Sequence, residues 1–493
     1  MNNHQGIENL MMCHTSDEAI ACLKKIYNQS SQGIKNHFEY LLESDEIESF
    51  DEYIPAGNRY YPYLGISIPE DKLHHDGRLA YGIAWEPGVY STTITQPQMF
   101  EAYLKEQLDL LIQHHQVPIM VGTSRCPIPL HFVVENSLLK FTPEKARILT
   151  RDFVVPNLSR VNDSIANNRY VKKKGGDIPL SLFSAERIDY SLERLHYYTA
   201  TSPEYFQDFV LLTNYQRYIH EFIDYAKDQI KNHDEYVAFV QPGDHIMWNE
   251  RFSNNGSQDE IMAHLPQMPA YHLIREDKQG ISFINIGVGP SNAKTMTDHL
   301  AVLRPHCWIM LGHCAGLRKS QQLGDYVLAH GYFRDDHILD ADLPVDIPIP
   351  AIAEVQVALE DAVVNVTGLK GAEMKSRMRT GTVMTTDNRN WELRSEDLRE
   401  IFNQSRTIAV DMESATIAAN GFRYRVPYGT LLCVSDKPLH GELKLKTMAK
   451  RFFKDRVSQH LMAGIETVKL LRSRGTSSLH SRKLRGIDEP PFR

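Results

Sequence analysis

Ile284-Asn285-Ile286-Gly287-Val288-Gly289-Pro290-Ser291-Asn292 reads as an apolar strand that turns through two glycines into the start of a helix. Backbone N–H groups in such a turn are uncovered by side chains and sit at a helix N-terminus, which suits an anion or a ribosyl group. As a dinucleotide fingerprint the stretch fails, because the helix continues Ala293-Lys294-Thr295 where a third glycine is required. A plain tight turn would carry the same letters, so the flanking pattern decides. Candidate strands Phe209–Leu212, Tyr236–Val240, Ile281–Ile286, Cys307–Leu311, Asp325–Ala329, Gly381–Met384, Thr407–Val410 and Thr430–Val434 alternate with candidate helices Arg217–Lys231, Ser291–Leu303, Ala351–Val364, Glu396–Gln404 and Glu413–Tyr424. That alternation predicts an α/β domain on a mostly parallel sheet.

Ligands of open α/β sheets collect outside the carboxyl ends of the strands. Three further stretches stand there. Gly312-His313-Cys314-Ala315-Gly316 is expected to be a second small-residue turn, with His313 alone reading as a structural histidine. Val410-Asp411-Met412-Glu413-Ser414-Ala415 and Val434-Ser435-Asp436-Lys437-Pro438 place acids directly after apolar strands, where a pocket mouth would be. Helix capping is the competing role for Asp411 and Asp436.

The length of 493 residues predicts two or three domains. Residues 1–165 read as a smaller α+β N-terminal domain, with helices over Ser16–Tyr27 and Gln96–His114 and strands over Leu79–Ala84, Val89–Thr95, Pro118–Gly122 and Leu130–Val134. The acidic run Glu43–Glu52 reads as a solvated face, and Ser253–Ser257 as a loop. Residues 166–183, with Lys172–Lys174 ahead of two glycines, read as an exposed linker, a phosphate role for the lysines being the alternative. Residues 184–493 form the larger domain, which a long amphipathic stretch, Thr447–Arg474, and a basic tail close. Net charge is −8, which disfavours a general nucleic-acid binder. Residues 441–493 nevertheless carry 13 Lys/Arg against 5 Asp/Glu, read as a subunit-facing or phosphate-facing surface. No apolar run reaches the roughly 18 residues of a membrane span, and no leader pattern opens the chain, so a cytoplasmic protein without membrane partners is expected. The six cysteines form no CxxC pair and are expected to be reduced thiols, with no metal site.

The ordered set GVGPSNA (287–293), GHCAG (312–316), GTVMTTD (381–387), DMESA (411–415) and VSDKP (434–438) resembles the nucleoside phosphorylase and nucleosidase superfamily. Within it the chain is similar to the branch with an extra N-terminal domain, through Tyr90-Ser-Thr-Thr-Ile-Thr-Gln-Pro97 and the tail His480–Arg485 with Glu489-Pro-Pro-Phe-Arg493. The resemblance implies a phosphorylase-like three-layer α/β catalytic domain with a mixed central sheet. It also implies hydrolysis of the N-glycosidic bond of AMP to adenine and ribose 5-phosphate, in purine salvage and adenylate control. Asp436 would protonate the purine, which is a poor leaving group as an anion; Lys437 beside it is expected to point away. Glu413 would accept sugar hydroxyls and stabilise the oxocarbenium-like transition state. Substrate-binding roles fall to Arg217, Gly287, Gly289, Ser291, Asn292, Gly312, His313, Met384, Met412 and Ser435. No cofactor is implied in the chemical step. Mg-ATP as allosteric activator, phosphate as inhibitor and a homohexamer are implied as well, with regulation in the N-terminal domain.

One departure bears on the nucleophile. Where phosphate-using relatives present an arginine and a serine, this chain has Met310 and His313. Loss of a charge-assisted arginine contact removes about 1.5–3 kcal/mol of anion binding, which favours water over phosphate. The group that orients the water stays open, with His313 a candidate.

Overall fold

A computed structural model describes residues 7–43, 59–73, 80–134, 143–172, 174–253, 262, 264–442, 452–480 and 484–493. The acidic run beyond Glu43, most of Ser253–Ser257, Lys173, Leu79 and the start of the Thr447–Arg474 stretch lie outside the described residues. The chain divides into two compact units: Met1–Glu193 with Arg485–Arg493, and Arg194–Leu484. The expected boundary at 184 is thus displaced to 193/194, and the last nine residues belong with the first unit.

The first unit holds a five-stranded sheet in the order β1-β4-β2-β3-β5, from β1 (Glu8–Cys13), β2 (Tyr60–Ile68), β3 (Gly88–Thr93), β4 (Ile119–Pro127) and β5 (Ile178–Pro179). Its helices are α1 (Ser16–Glu43), α2 (Glu101–His115) and α3 (Pro143–Asp152). Along α1, Ala19, Ile20, Leu23, Ile26, Tyr27, Ile34, Phe38 and Leu41 are buried at helical spacing, and this stripe packs on β2 and β4. The expected linker is part of this sheet, because Ile178–Pro179 pairs with Tyr90 and Ser91. Two expected strands are not strands. Leu130–Phe132 is a short 3₁₀ turn between Pro129 and Val133, since proline at 127 and 129 removes the donors a ladder needs. Ala80–Ala84 is bend and coil.

The second unit, entered along α4 (Ala185–Thr199), is built on ten strands. They are β6 (Phe209–Thr213), β7 (Ala238–Gln241), β8 (His245–Trp248), β9 (Ala270–Ile274), β10 (Ile281–Asn285), β11 (Cys307–Gly316), β12 (Tyr326–Asp335), β13 (Met378–Thr386), β14 (Ala409–Asp411) and β15 (Tyr428–Asp436). Their order is β14-β13-β12-β15-β11-β6-β10-β9-β7-β8, and β14 also pairs with β11. Strands β15, β11, β6 and β10 run parallel, while β12 and β9 flank them antiparallel, so the sheet is mixed as expected. The extra β14–β11 pairing closes β14, β13, β12, β15 and β11 into a ring.

Helices cover both faces: α5 (Gln216–Asn232), α6 (Pro290–Leu300), α7 (Ala353–Thr367), α8 (Gly371–Arg377), α9 (Ser395–Ser405), α10 (Ser414–Tyr424) and α11 (Phe452–Arg474). In β11, Leu311 packs on Gly464 of α11, whereas the Trp308 indole donates to the carbonyl of Ile417 in α10. Two strand residues an odd number apart face opposite sides, so these contacts define the three layers. Every residue of β6 and β11 is buried, the pattern of parallel strands covered on both faces. Among the described residues no helix is long and apolar enough to cross a membrane. All six cysteines are free thiols, with Cys307 and Cys314 in β11 and Cys433 in β15.

Candidate active site

The parallel strands β10 and β6 release the chain beside Glu413, and one group from each exit meets its carboxylate. After β10 the chain passes Gly287 and Gly289 at φ +70° and +115°, backbone that side chains with a Cβ rarely adopt. Pro290 then opens α6 as its first residue. The Gly289 N–H points at Glu413 and donates to Oε1 at 2.7 Å. After β6, Asn214 donates its Nδ2 to Oε2 of the same carboxylate at 2.8 Å. Glu413 itself is fully buried at the entry to α10.

Acids gather around the start of α10. Asp411 accepts from Thr385 Oγ1 at 2.5 Å and from the Ser414 N–H at 2.9 Å, so the capping role holds for this residue. Thr416 donates its hydroxyl to the buried Asp336, which follows β12. Burial, and then the charge of Asp411, push the Glu413 carboxyl up to about 8, while the Gly289 and Asn214 donors pull it down. Burial likewise raises Asp411 to about 6 against its hydroxyl and N–H donors. Burial also raises Asp336.

Asp436 ends β15, half-buried, with the Ser435 hydroxyl donating to its Oδ1 at 2.5 Å. Ser435 Oγ also lies 3.3 Å from the carbonyl of Cys314. A bulge in the β11–β15 ladder sets Ala315 opposite Asp436, and the same Ala315 pairs on its other side with Val410 of β14. One residue of β11 therefore lies between the strand that ends in Asp436 and the strand that leads to Glu413. Lys437 turns away as expected: its ammonium donates to Glu442 at 2.7 Å.

The remaining expected residues distribute as follows. Ser291 is exposed in the first turn of α6, and Asn292 donates to the carbonyl of Val288, bracing the glycine turn. Met412 is half-buried between the two acids. Arg217 is exposed in the first turn of α5. His313 is buried with its ring 4.4 Å from that of Tyr215 and 5.6 Å from that of Tyr218, a cluster of tilted rings at the N-terminal end of α5. Met384 is fully buried in an apolar cluster with Trp391, Leu398, Phe402 and Val410, which is the packing role.

The expected turn at Gly312–Gly316 is not a turn. The stretch continues β11 to its end, because β15 and β14 pair with it on either side. The glycines serve close approach instead: a Cβ on Gly312 would lie 2.7 Å from Met310 Cε, and one on Gly316 2.9 Å from Val434 Cγ1. Among the described residues, four basic groups of the surface expected of 441–493 form ion pairs within their own units. Lys469 and Arg472 pair with Glu235, Arg474 with Asp361, and Arg493 with Glu106. Sequence reasoning missed Asn214, Thr385 and Asp336. Each directly follows or ends an apolar strand, the signal that singled out Asp411 and Asp436.

Comparison with known proteins agrees with this layout. The family model described as "Bacterial AMP nucleoside phosphorylase N-terminus" matches residues 18–177, and the phosphorylase superfamily model matches residues 270–468. The AMP nucleosidase of Escherichia coli (strain K12) is 48% identical over 480 residues, covering 97% of this chain and 98% of that protein, and that of Escherichia coli O157:H7 matches equally. The crystal structure of AMP nucleosidase from Bacteroides thetaiotaomicron VPI-5482 matches at 28% identity and a TM-score of 0.43, over 58% of this chain and 98% of that one. Near-full-length identity of this order, on a phosphorylase-superfamily sheet preceded by the matching N-terminal region, establishes that the chain belongs to the AMP nucleosidase family, hydrolases acting on N-glycosyl compounds.

Proposed function

We propose that this protein hydrolyses AMP to adenine and ribose 5-phosphate, with Asp436 as the proton donor to the leaving purine and Glu413 as the carboxylate beside the ribose. The observation that carries this reading is the Glu413 cradle. Once ionised, a buried carboxylate held at both oxygens by N–H donors keeps lone pairs for sugar hydroxyls and opposes the positive charge of an oxocarbenium-like transition state. The partial exposure of Asp436 at the end of β15, one strand removed from β14, supports its role at a ligand. The glycine turn Gly287–Asn292 and Arg217 at the head of α5 offer N–H groups and a cation for the sugar and the 5′-phosphate. Ser435 buttresses Asp436, and Met412 faces the ligand between the acids.

Water is the nucleophile in this reading because Met310 is fully buried and carries no charge where phosphate-using relatives have an arginine. His313 and Gly312 contribute the walls, while Met384 supports them from the core cluster behind. The wider proposal is a cytoplasmic homohexamer in purine salvage and adenylate control, activated by Mg-ATP, inhibited by phosphate and needing no cofactor for the chemical step. The test incubates purified protein with AMP or adenosine, with and without phosphate. Adenine and ribose 5-phosphate from AMP in phosphate-free buffer are expected. A strict phosphate requirement with a product phosphorylated at C1 would establish a phosphorylase instead.

A further inference from the structure

The carboxylate of Glu413 depends on a residue that lies 199 positions away in sequence and has no charge of its own. Asn214 sits at the exit of β6, and its side chain has two faces with opposite chemistry. Nδ2 donates to Glu413 Oε2 at 2.8 Å, while the Gly289 N–H occupies Oε1 at 2.7 Å. A backbone N–H only donates, and an ionised carboxylate only accepts, so the ionised form of Glu413 matches both partners without rearrangement. The other end of the amide, Oδ1, is buried and has no hydrogen-bond partner among the described residues. It lies 3.4 Å from the point where a Cβ on Gly312 would stand, a point that Met310 Cε approaches to 2.7 Å. An unpaired buried acceptor costs stability unless a ligand or water completes it, and such atoms concentrate at functional sites.

We propose that Asn214 is the positioning residue for Glu413: its Nδ2 locks the carboxylate in orientation, and its Oδ1 accepts a hydrogen bond from a hydroxyl group or water of the occupied site. This rests on the reading of Glu413 as the carboxylate beside the ribose. Asparagine suits the position because its amide donates at every pH. Aspartate would have the same shape but would donate only while it shares a proton with Glu413.

Two variants test the assignment, N214D and N214A, with folding checked by circular dichroism. In N214D the pair keeps its geometry while it holds one proton and repels once both carboxyls ionise. N214D is therefore expected to show a loss of kcat on the alkaline side that the wild type lacks. N214A is expected to lower kcat by tenfold or more with KM changed less than threefold and no such new limb. An N214D profile that merely scales the wild-type curve, or an N214A kcat within twofold of wild type, would overturn the proposal. If the wild type releases no adenine from AMP, the AMP reading fails on its own. The positioning role is then read from the protein alone: the infrared carboxylate band of Glu413, assigned by its loss in E413Q, shifts in N214A if Asn214 holds it and stays in place if it does not.

Discussion

At the scale of single residues, two carboxyl groups stand in contrasting environments. Asp436 stands at the end of β15 beside the Ser435 hydroxyl and has partial access to solvent, whereas Glu413 is sealed under the glycine turn. General acid catalysis contributes about 10²–10⁴-fold, so D436N is expected to slow adenine release from AMP by that range while KM moves little. Release within twofold of wild type would remove Asp436 from the proton-donor role. Glu413 also leaves a mark on stability. Its folded value is pushed up to about 8 from the ordinary 4.5, so between those values the folded state holds a proton that the unfolded chain has lost. Stability must then fall as pH rises through that window. E413Q carries no such proton. Its midpoint in urea is expected to decline less between pH 5 and 8 than that of the wild type, and parallel declines would show that Glu413 is not the group responsible.

At the scale of elements, the glycine turn offers a comparison internal to the protein. Gly289 stands at φ +115° with no atom within 4 Å of an added Cβ, so G289A tests backbone strain alone. Strain of this kind costs about 1–3 kcal/mol, and relaxing it swings the N–H off Glu413. G289A is expected to lose stability in that range and activity by tenfold or more. Gly287 is at φ +70°, where a Cβ would meet only the flexible amide of Asn292, so G287A is expected to lose less of both. An equal loss in the two variants would show that the Gly289 N–H has no special part.

The strands and helices of the second unit were largely legible because buried parallel strands are short unbroken apolar runs bounded by glycine or acid. Boundaries were less so. The strand expected over Asp325–Ala329 runs on to Asp335, since its partner β13 continues beside it, and α1 runs on to Glu43 rather than Tyr27. In the first unit β2 went unread, because nearly every residue from Tyr61 to Ile68 is buried and the alternation that marks a half-buried strand is absent. Gly312–Gly316 reads as a turn from its letters, but glycines that admit a neighbouring strand and glycines that bend a chain look the same in sequence.

At the scale of the whole molecule, the first unit closes with the last residues of the chain. The Phe492 N–H donates to Leu180, Gly82 N–H to Pro491, and the Tyr103 hydroxyl to Arg493. Phe492 is 1% exposed and meets the Tyr103 ring edge-on at 6.1 Å. F492A leaves that pocket empty and is expected to destabilise the first unit by about 3–5 kcal/mol, read as a shift in its urea midpoint. A shift below about 1 kcal/mol would show that the tail is not part of that core. The basic excess of residues 441–493 has a similar lesson: as a count it marks a charged surface, while in space Lys469, Arg472 and Arg474 are paired with Glu235 and Asp361.

Local pattern by itself determined the α/β class, the position of the glycine turn, and the acids at strand ends, because periodicity, glycine and charge act within a few residues of one another. It also pointed to Glu413 and Asp436 through their motifs. Tertiary structure alone decided what surrounds Glu413, since Gly289 and Asn214 lie 124 and 199 residues away and meet it only when β6, β10 and β14 end at a common edge. It likewise decided that Met384 packs in a core and that β11 runs straight through its glycines. Hydrogen bonds and burial between distant strands depend on register, and register is set when the sheet assembles.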